Sequence, residues 1–275
     1  DRAVIFYDQW GCGKSSRPVP TTRLQQQPPS ADSADEKNNN QRKTIPPFSI
    51  PTMVEHLRQL VSVEWKLERF HLLGHSFGGI LCYEYLSTMM EKEGPKTCKD
   101  SVCSLILSST PTSADLIQAE SKRLYDNLKT RELKEGEEQT EEEEENKDVA
   151  SEASRQQQQQ QQFSEEYSQT HECRLPCPPL ALMDAMAQAG PIPWRGIQAI
   201  SDYEARGTIA ECSVPTLLLR GEYDFCTSHC MEGWKDRVEA EGTVVLSNCS
   251  HYAMLEDEGL YGKELTSFLQ RHDPN

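Results

Sequence analysis

The stretch Gly74-His75-Ser76-Phe77-Gly78-Gly79 decides how the rest of the chain is read. It follows a short apolar run, Arg69-Phe70-His71-Leu72-Leu73, and leads into Ile80-Leu81-Cys82-Tyr83-Glu84-Tyr85-Leu86, which is expected to be helical. A serine framed as G-x-S-x-G on a strand-to-helix turn is the pattern of a nucleophile elbow. Such a turn is tight enough to force Ser76 into a strained backbone, and side chains at positions 74 and 78 are expected to collide with it. The same letters also describe a Gly-rich turn without chemistry, so the reading depends on partners elsewhere.

Working outward, three further apolar runs predict strands. Ser101-Val102-Cys103-Ser104-Leu105-Ile106-Leu107 closes in Ser108-Ser109-Thr110-Pro111. Val214-Pro215-Thr216-Leu217-Leu218-Leu219-Arg220 ends in Gly221-Glu222-Tyr223-Asp224, and a helix carrying Trp234 follows. Gly242-Thr243-Val244-Val245-Leu246 ends in Ser247-Asn248-Cys249-Ser250-His251, before an amphipathic helix with Leu260, Leu265, Phe268 and Leu269. Strands alternating with helices predict a parallel sheet.

Ser76, Asp224 and His251 each fall just past a predicted strand, so all three project from one sheet edge, in the chain order Ser…Asp…His. A serine hydroxyl is a weak nucleophile at neutral pH. His251 is positioned by this reading to take its proton and return it to the leaving group. Asp224 then fixes the imidazole tautomer and stabilises its charged form. The N–H of Phe77, directly after the nucleophile, is the expected oxyanion donor. Other candidates fit less well. His71 lies inside a strand and His75 is locked beside the elbow, so both read as structural. His229 follows Asp224 by only five residues without a strand, and Asp202 lies in a junction.

Upstream, Ala3-Val4-Ile5-Phe6-Tyr7 reads as a buried strand ending in Asp8-Gln9-Trp10-Gly11-Cys12-Gly13-Lys14-Ser15. The Gly-Lys-Ser resembles a phosphate loop, but that loop needs glycine where Asp8 stands, and a carboxylate repels phosphate. Because the chain begins at Asp1 inside a strand pattern, an N-terminally incomplete protein is expected, with any targeting signal outside it. Residues 20–47 are Gln, Asn, Pro and Ser-rich and are expected to be a disordered insertion. Beyond them Thr52 with Glu55 forms an expected capping box, and Met53, Leu57, Leu60 and Val61 recur at helical spacing.

The middle of the chain interrupts the alternation. Leu116–Thr130 reads as a helix, then the Glu141–Glu145 run and the glutamines Gln156–Gln162 follow, and Leu180–Ala189 is helical again. Thr130–Arg155 holds eleven acids against four bases, so nearly half of the chain's formal net charge of −16 sits there. The expected organisation is a core over 1–112, a cap region over 113–200 that is disordered over about 131–170, and a second core part over 201–275. Such a cap covers the carboxyl edge of the sheet, where open sheets of this kind bind ligands.

Composition excludes several classes. An acidic chain is unsuited to nucleic acid, which needs a basic surface, and no run of 18 or more apolar residues marks a membrane span. Ten cysteines follow no disulfide or zinc pattern. Cys173/Cys177 and Cys226/Cys230 lack companion histidines at ligand spacing, so no metal is expected. Scattered thiols favour a reducing, cytoplasmic setting.

With those residues in hand, the chain resembles the proline iminopeptidase branch of the α/β-hydrolases, serine peptidases that remove N-terminal residues. The resemblance rests on Asp8–Ser15, Gly74–Gly79, Gly190-Pro191, Pro215-Thr216-Leu217 through Asp224, and Cys249-Ser250-His251-Tyr252-Ala253-Met254-Leu255-Glu256-Asp257. It implies an α/β-hydrolase core, a mostly parallel sheet with helices on both faces, an inserted helical cap and no cofactor. It also implies a second oxyanion donor from a Gly-rich loop upstream of Asp1. Family peptidases hold the substrate's free amine with cap and loop carboxylates, and here those places carry Pro193 and Phe225. Glu204, Asp202 or Glu222 are the available substitutes, while Trp194 and Phe225 make the pocket more apolar. The expected substrate-binding set is therefore Trp194, Glu204 and Phe225. Three activities remain open: an aminopeptidase on small peptides, an esterase or amidase on small apolar substrates, and a silent hydrolase fold used for binding. An epoxide hydrolase is disfavoured, because that chemistry uses a carboxylate at the elbow.

Overall fold

The computed structural model describes residues 2–16, 49–139, 164–188 and 201–273. The insertion 20–47, the Glu and Gln runs, and the stretch holding Gly190-Pro191, Pro193 and Trp194 lie outside the described residues. Four strands form one parallel sheet in the order β1 (Phe70–His75), β2 (Val102–Ser108), β3 (Pro215–Gly221), β4 (Glu239–Leu246). The register brings His75 beside Ser108, Ser108 beside Leu219, and Gly221 beside Leu246, so all four carboxyl ends lie at one edge.

Side-chain alternation divides the core into two layers. On one face Leu105, Leu107 and Leu218 pack with Met53, Val54 and Leu57 of α1 (Ile50–Gln59) and Ile80, Leu81 and Leu86 of α2 (Phe77–Glu93). On the other face Ile106 and Leu217 meet Phe268, and Leu219 meets Tyr261, both residues belonging to the C-terminal helix Glu258–Arg271. Every residue of β2 is buried, as expected of a central parallel strand covered on both sides. Each such leucine or isoleucine contributes about 1.5–3 kcal/mol on burial.

Several expectations are corrected. Ala3–Tyr7 is not a strand, and Val4, Ile5 and Phe6 are 73%, 47% and 89% exposed. Apolar composition favours extended chain, but a strand exists only with a ladder partner, and none runs beside this segment among the described residues. The first helix starts earlier than Thr52. Ser49 is the N-cap, its hydroxyl accepting from Thr52 N at 3.4 Å, and Pro51 fills the first turn where its missing N–H costs nothing. Glu55 instead pairs with Arg58. A short α3 (Pro95–Ser101) precedes β2. The helix after β2, α4 (Ala114–Gln139), runs on into the segment expected to be disordered, and residues 164–172 are helical. Trp234 sits in a short 3₁₀ turn, Glu232–Asp236, after the short helix Ser228–Met231.

The Gly13-Lys14-Ser15 loop has an internal occupant. Asp8 Oδ2 accepts Lys14 N at 2.8 Å, and Asp8 O accepts Ser15 Oγ at 2.6 Å. The carboxylate of Asp8 thus holds the amide a phosphate would need.

Candidate active site

Ser76 links β1 to α2 with φ 53° and ψ −121°, a left-handed conformation unusual for a residue with a side chain. Such strain costs on the order of 1–3 kcal/mol and persists only where surroundings fix it. Here Ser76 N donates to Ser108 O at 2.8 Å, while Ser76 O accepts from Gly79 N at 3.0 Å and Ile80 N at 3.4 Å. A side chain at Gly74 would strike the Gly78 backbone, and one at Gly79 would strike Thr110. Position 78 has nothing within 4 Å of an added Cβ, so the expected crowding there is corrected; the tight second glycine is Gly79. Phe77 opens α2, so its N–H belongs to the first turn, whose amides point out of the helix N-terminus.

Across the same edge, Asp224 is buried and its Oδ1 lies 2.9 Å from His251 Nδ1. Since a carboxylate only accepts, Nδ1 carries the proton and Nε2 of the neutral ring is left as an acceptor. Asp224 Oδ1 also accepts Cys226 N at 2.7 Å, which closes the loop after β3. The loop after β4 is held by Glu256, whose carboxylate takes Ser250 N at 2.9 Å and Ser250 Oγ at 2.6 Å. No direct hydrogen bond joins Ser76 Oγ to the His251 ring among the described residues.

His75, which reads from sequence as merely structural, bridges the two halves. Its Nε2 lies 2.8 Å from His251 O, and its ring centroid lies 4.6 Å from that of His251. Burial, reinforced by His251, pushes its pKa down to about 3, so the ring is neutral. Phe225 packs its ring 4.1 Å from His251 at 33°, forming a wall of the histidine. Glu204 forms an antiparallel backbone bridge with Ser113 and keeps an exposed side chain. Trp194 lies outside the described residues. Among the described residues, no group of three or more His, Cys, Asp or Glu side chains is arranged to hold a metal ion.

A family model for the alpha/beta hydrolase fold matches residues 1–258. The chain belongs to that family. The proline iminopeptidase of Lactobacillus acidophilus is 26% identical over 278 residues, spanning 99% of this chain and 82% of its own. That of Lactobacillus delbrueckii subsp. bulgaricus is 27% identical over 277 residues, spanning 99% and 81%. Among solved structures, the proline iminopeptidase of Mycobacterium smegmatis superposes with a TM-score of 0.62 at 19% identity, covering 82% of this chain and 72% of its own. VinJ gives 0.61 at 18% identity, covering 82% and 74%. These superpositions agree with the α/β-hydrolase architecture of a parallel sheet flanked by helices. No helix among the described residues is long and apolar enough to cross a membrane.

Proposed function

We propose that this α/β-hydrolase is a serine hydrolase that releases N-terminal residues from small peptides through an acyl-enzyme on Ser76. The observation that carries the reading is the buried 2.9 Å His251–Asp224 hydrogen bond at the sheet edge where Ser76 occupies its strained turn. In the proposed reaction His251 Nε2 takes the Ser76 proton as Oγ attacks the scissile carbonyl, and the proton passes to the leaving amine as the C–N bond breaks. Water then repeats the step in reverse, freeing the acid and restoring the serine. Asp224 holds the Nδ1–H tautomer and stabilises the imidazolium. The Phe77 N–H faces the developing oxyanion, a role in which one donor supplies about a hundredfold or more in turnover.

The peptide preference draws on the two Lactobacillus relatives, both named proline iminopeptidases. A second reading, hydrolysis of small esters or amides, is favoured by Phe225. Its apolar ring lies against His251 directly after Asp224, and Glu204 stays at the surface. Fluorophosphonate labelling tests the chemistry: wild-type protein takes the label at Ser76 and Ser76→Ala does not, whereas an unlabelled folded wild type defeats the proposal. Release of proline from a prolyl amide tests the substrate. Acetylating the amine abolishes release by an aminopeptidase, and an unchanged rate assigns the esterase or amidase reading.

A further inference from the structure

Residues Ser168–Glu172 form a single turn of π-helix lying against both loops that carry the proposed acid and base. His171 Nδ1 lies 2.7 Å from Tyr223 O, one residue before Asp224, and must be the donor because a carbonyl only accepts. The carbonyl of His171 accepts His251 N at 3.3 Å, and the carbonyl of Glu172 accepts Tyr252 N at 3.0 Å. Two residues further on, the Arg174 guanidinium lies 3.9 Å from the centre of the Tyr223 ring. One residue therefore grips the acid loop through its side chain and the base through its main chain.

Helix α4 backs this turn. Tyr125 of α4 lies 6.0 Å from Tyr167, and Tyr167 lies 5.2 Å from His171, ring centre to ring centre. Nearby, Glu120 of α4 accepts Thr227 Oγ1 at 2.8 Å and is itself fixed by the Arg123 guanidinium at 2.8 and 2.9 Å. Thr227 stands three residues after Asp224. The segment around the sheet edge thus holds the acid loop from two sides, and π-turns of this kind are frequent at functional sites.

We infer that His171 is a positioning residue, setting the separation of the Asp224 and His251 loops and transmitting the placement of α4 and of residues 164–172 to the proposed acid–base pair. The inference rests on the serine hydrolase reading and adds to it a coupling between the inserted segment and the base. A displacement near 1 Å of a catalytic group costs up to about a hundredfold in rate, so the coupling has a measurable size.

The test uses the full chain with p-nitrophenyl acetate as probe, alongside the fluorophosphonate labelling rate. His171→Leu removes the donor and lowers kcat about ten- to a hundredfold with KM changed by less than about twofold. His171→Asn, whose amide nitrogen reaches the place of Nδ1, restores most of kcat. His171→Gln, whose amide extends past that place, does not restore it and serves where the leucine variant fails to fold. A low-field proton resonance from the His251–Asp224 hydrogen bond gives a readout independent of turnover; it shifts in His171→Leu and His171→Gln and returns in His171→Asn. Variants with wild-type kcat and an unshifted resonance overturn the inference while the hydrolase reading stands. A folded wild type that is neither labelled nor active overturns the hydrolase reading, and the inference with it.

Discussion

His75 Nε2 donates to the carbonyl oxygen of His251 at 2.8 Å, so the residue before the proposed nucleophile holds the main chain of its proposed base. Sequence adjacency to Ser76 and spatial adjacency to His251 meet in one imidazole. The arrangement needs a proton on Nε2, and burial keeps the ring in its neutral form at a pKa of about 3.

Acid stability follows from that pKa. An unperturbed histidine titrates near 6.5, so below that pH the unfolded chain gains a proton that the folded chain refuses until about pH 3. The folded-state value is depressed, so the stabilisation is present above about 6.5 and is lost as pH falls. The slope is about 1.4 kcal/mol per pH unit within that window, or about 2 kcal/mol between pH 7 and pH 5. Urea denaturation at those two pH values reads the loss, and His75→Gln, which keeps a donor near Nε2, flattens it. An equal pH dependence in wild type and variant would remove His75 as the source.

Asp224→Asn separates orientation from structure. The amide keeps the size of the carboxylate but loses its charge, and Cys226 N and His251 Nδ1 address the same oxygen, Oδ1, so the imidazolium of His251 is no longer stabilised. Turnover is expected to fall by about 10⁴ with little change in the melting temperature. Steady-state kinetics on any ester accepted by the wild type decides it; a loss below about tenfold would show that Asp224 does not serve the histidine.

The three glycines of the elbow should behave differently. Gly74→Ala meets the Gly78 backbone and Gly79→Ala meets Thr110, so each is expected to destabilise the fold by about 1–3 kcal/mol. Gly78→Ala has open space and a helical setting, where alanine is favoured over glycine by up to about 1 kcal/mol. Thermal melts of the three variants should rank 78 above wild type and 74 and 79 below it. A destabilised Gly78→Ala would contradict the geometry of the turn.

Much of this was legible because parallel strands write themselves as short apolar runs. β2, buried on both faces, and the serine turn after β1 came directly from such runs, as did the loops holding Asp224 and His251. Ala3–Tyr7 misled for the same reason: five apolar letters describe a preference for extended chain and say nothing of the neighbour that a ladder requires. The capping box at Thr52 and Glu55 matched a pattern, but Ser49 with Pro51 matched the first-turn geometry better. His171 left no local signal at all. Its importance comes from bonds to residues 52 and 80 positions away, which spacing rules do not reach. His75 does carry a signal, since a residue flanking the elbow lies at the sheet edge that carries the other loops.

Trp234 reaches the elbow indirectly, through the Thr110 segment. Its side chain is fully buried, its Nε1–H donates to Thr110 O at 2.7 Å, and its ring lies 4.7 Å from Tyr83. Thr110 in turn donates from Oγ1 to Ser108 O at 3.0 Å and is the group against which Gly79 packs. Trp234→Ala removes both the ring and the donor and is expected to cost about 3–5 kcal/mol. Trp234→Phe keeps most of the packing but strands the buried Thr110 carbonyl, costing about 1–3 kcal/mol. Denaturant unfolding measures both losses, and the fluorophosphonate labelling rate at Ser76 shows whether the shift reaches the turn. If Trp234→Phe is as stable as wild type, the bond from Trp234 to Thr110 O carries no net stabilisation.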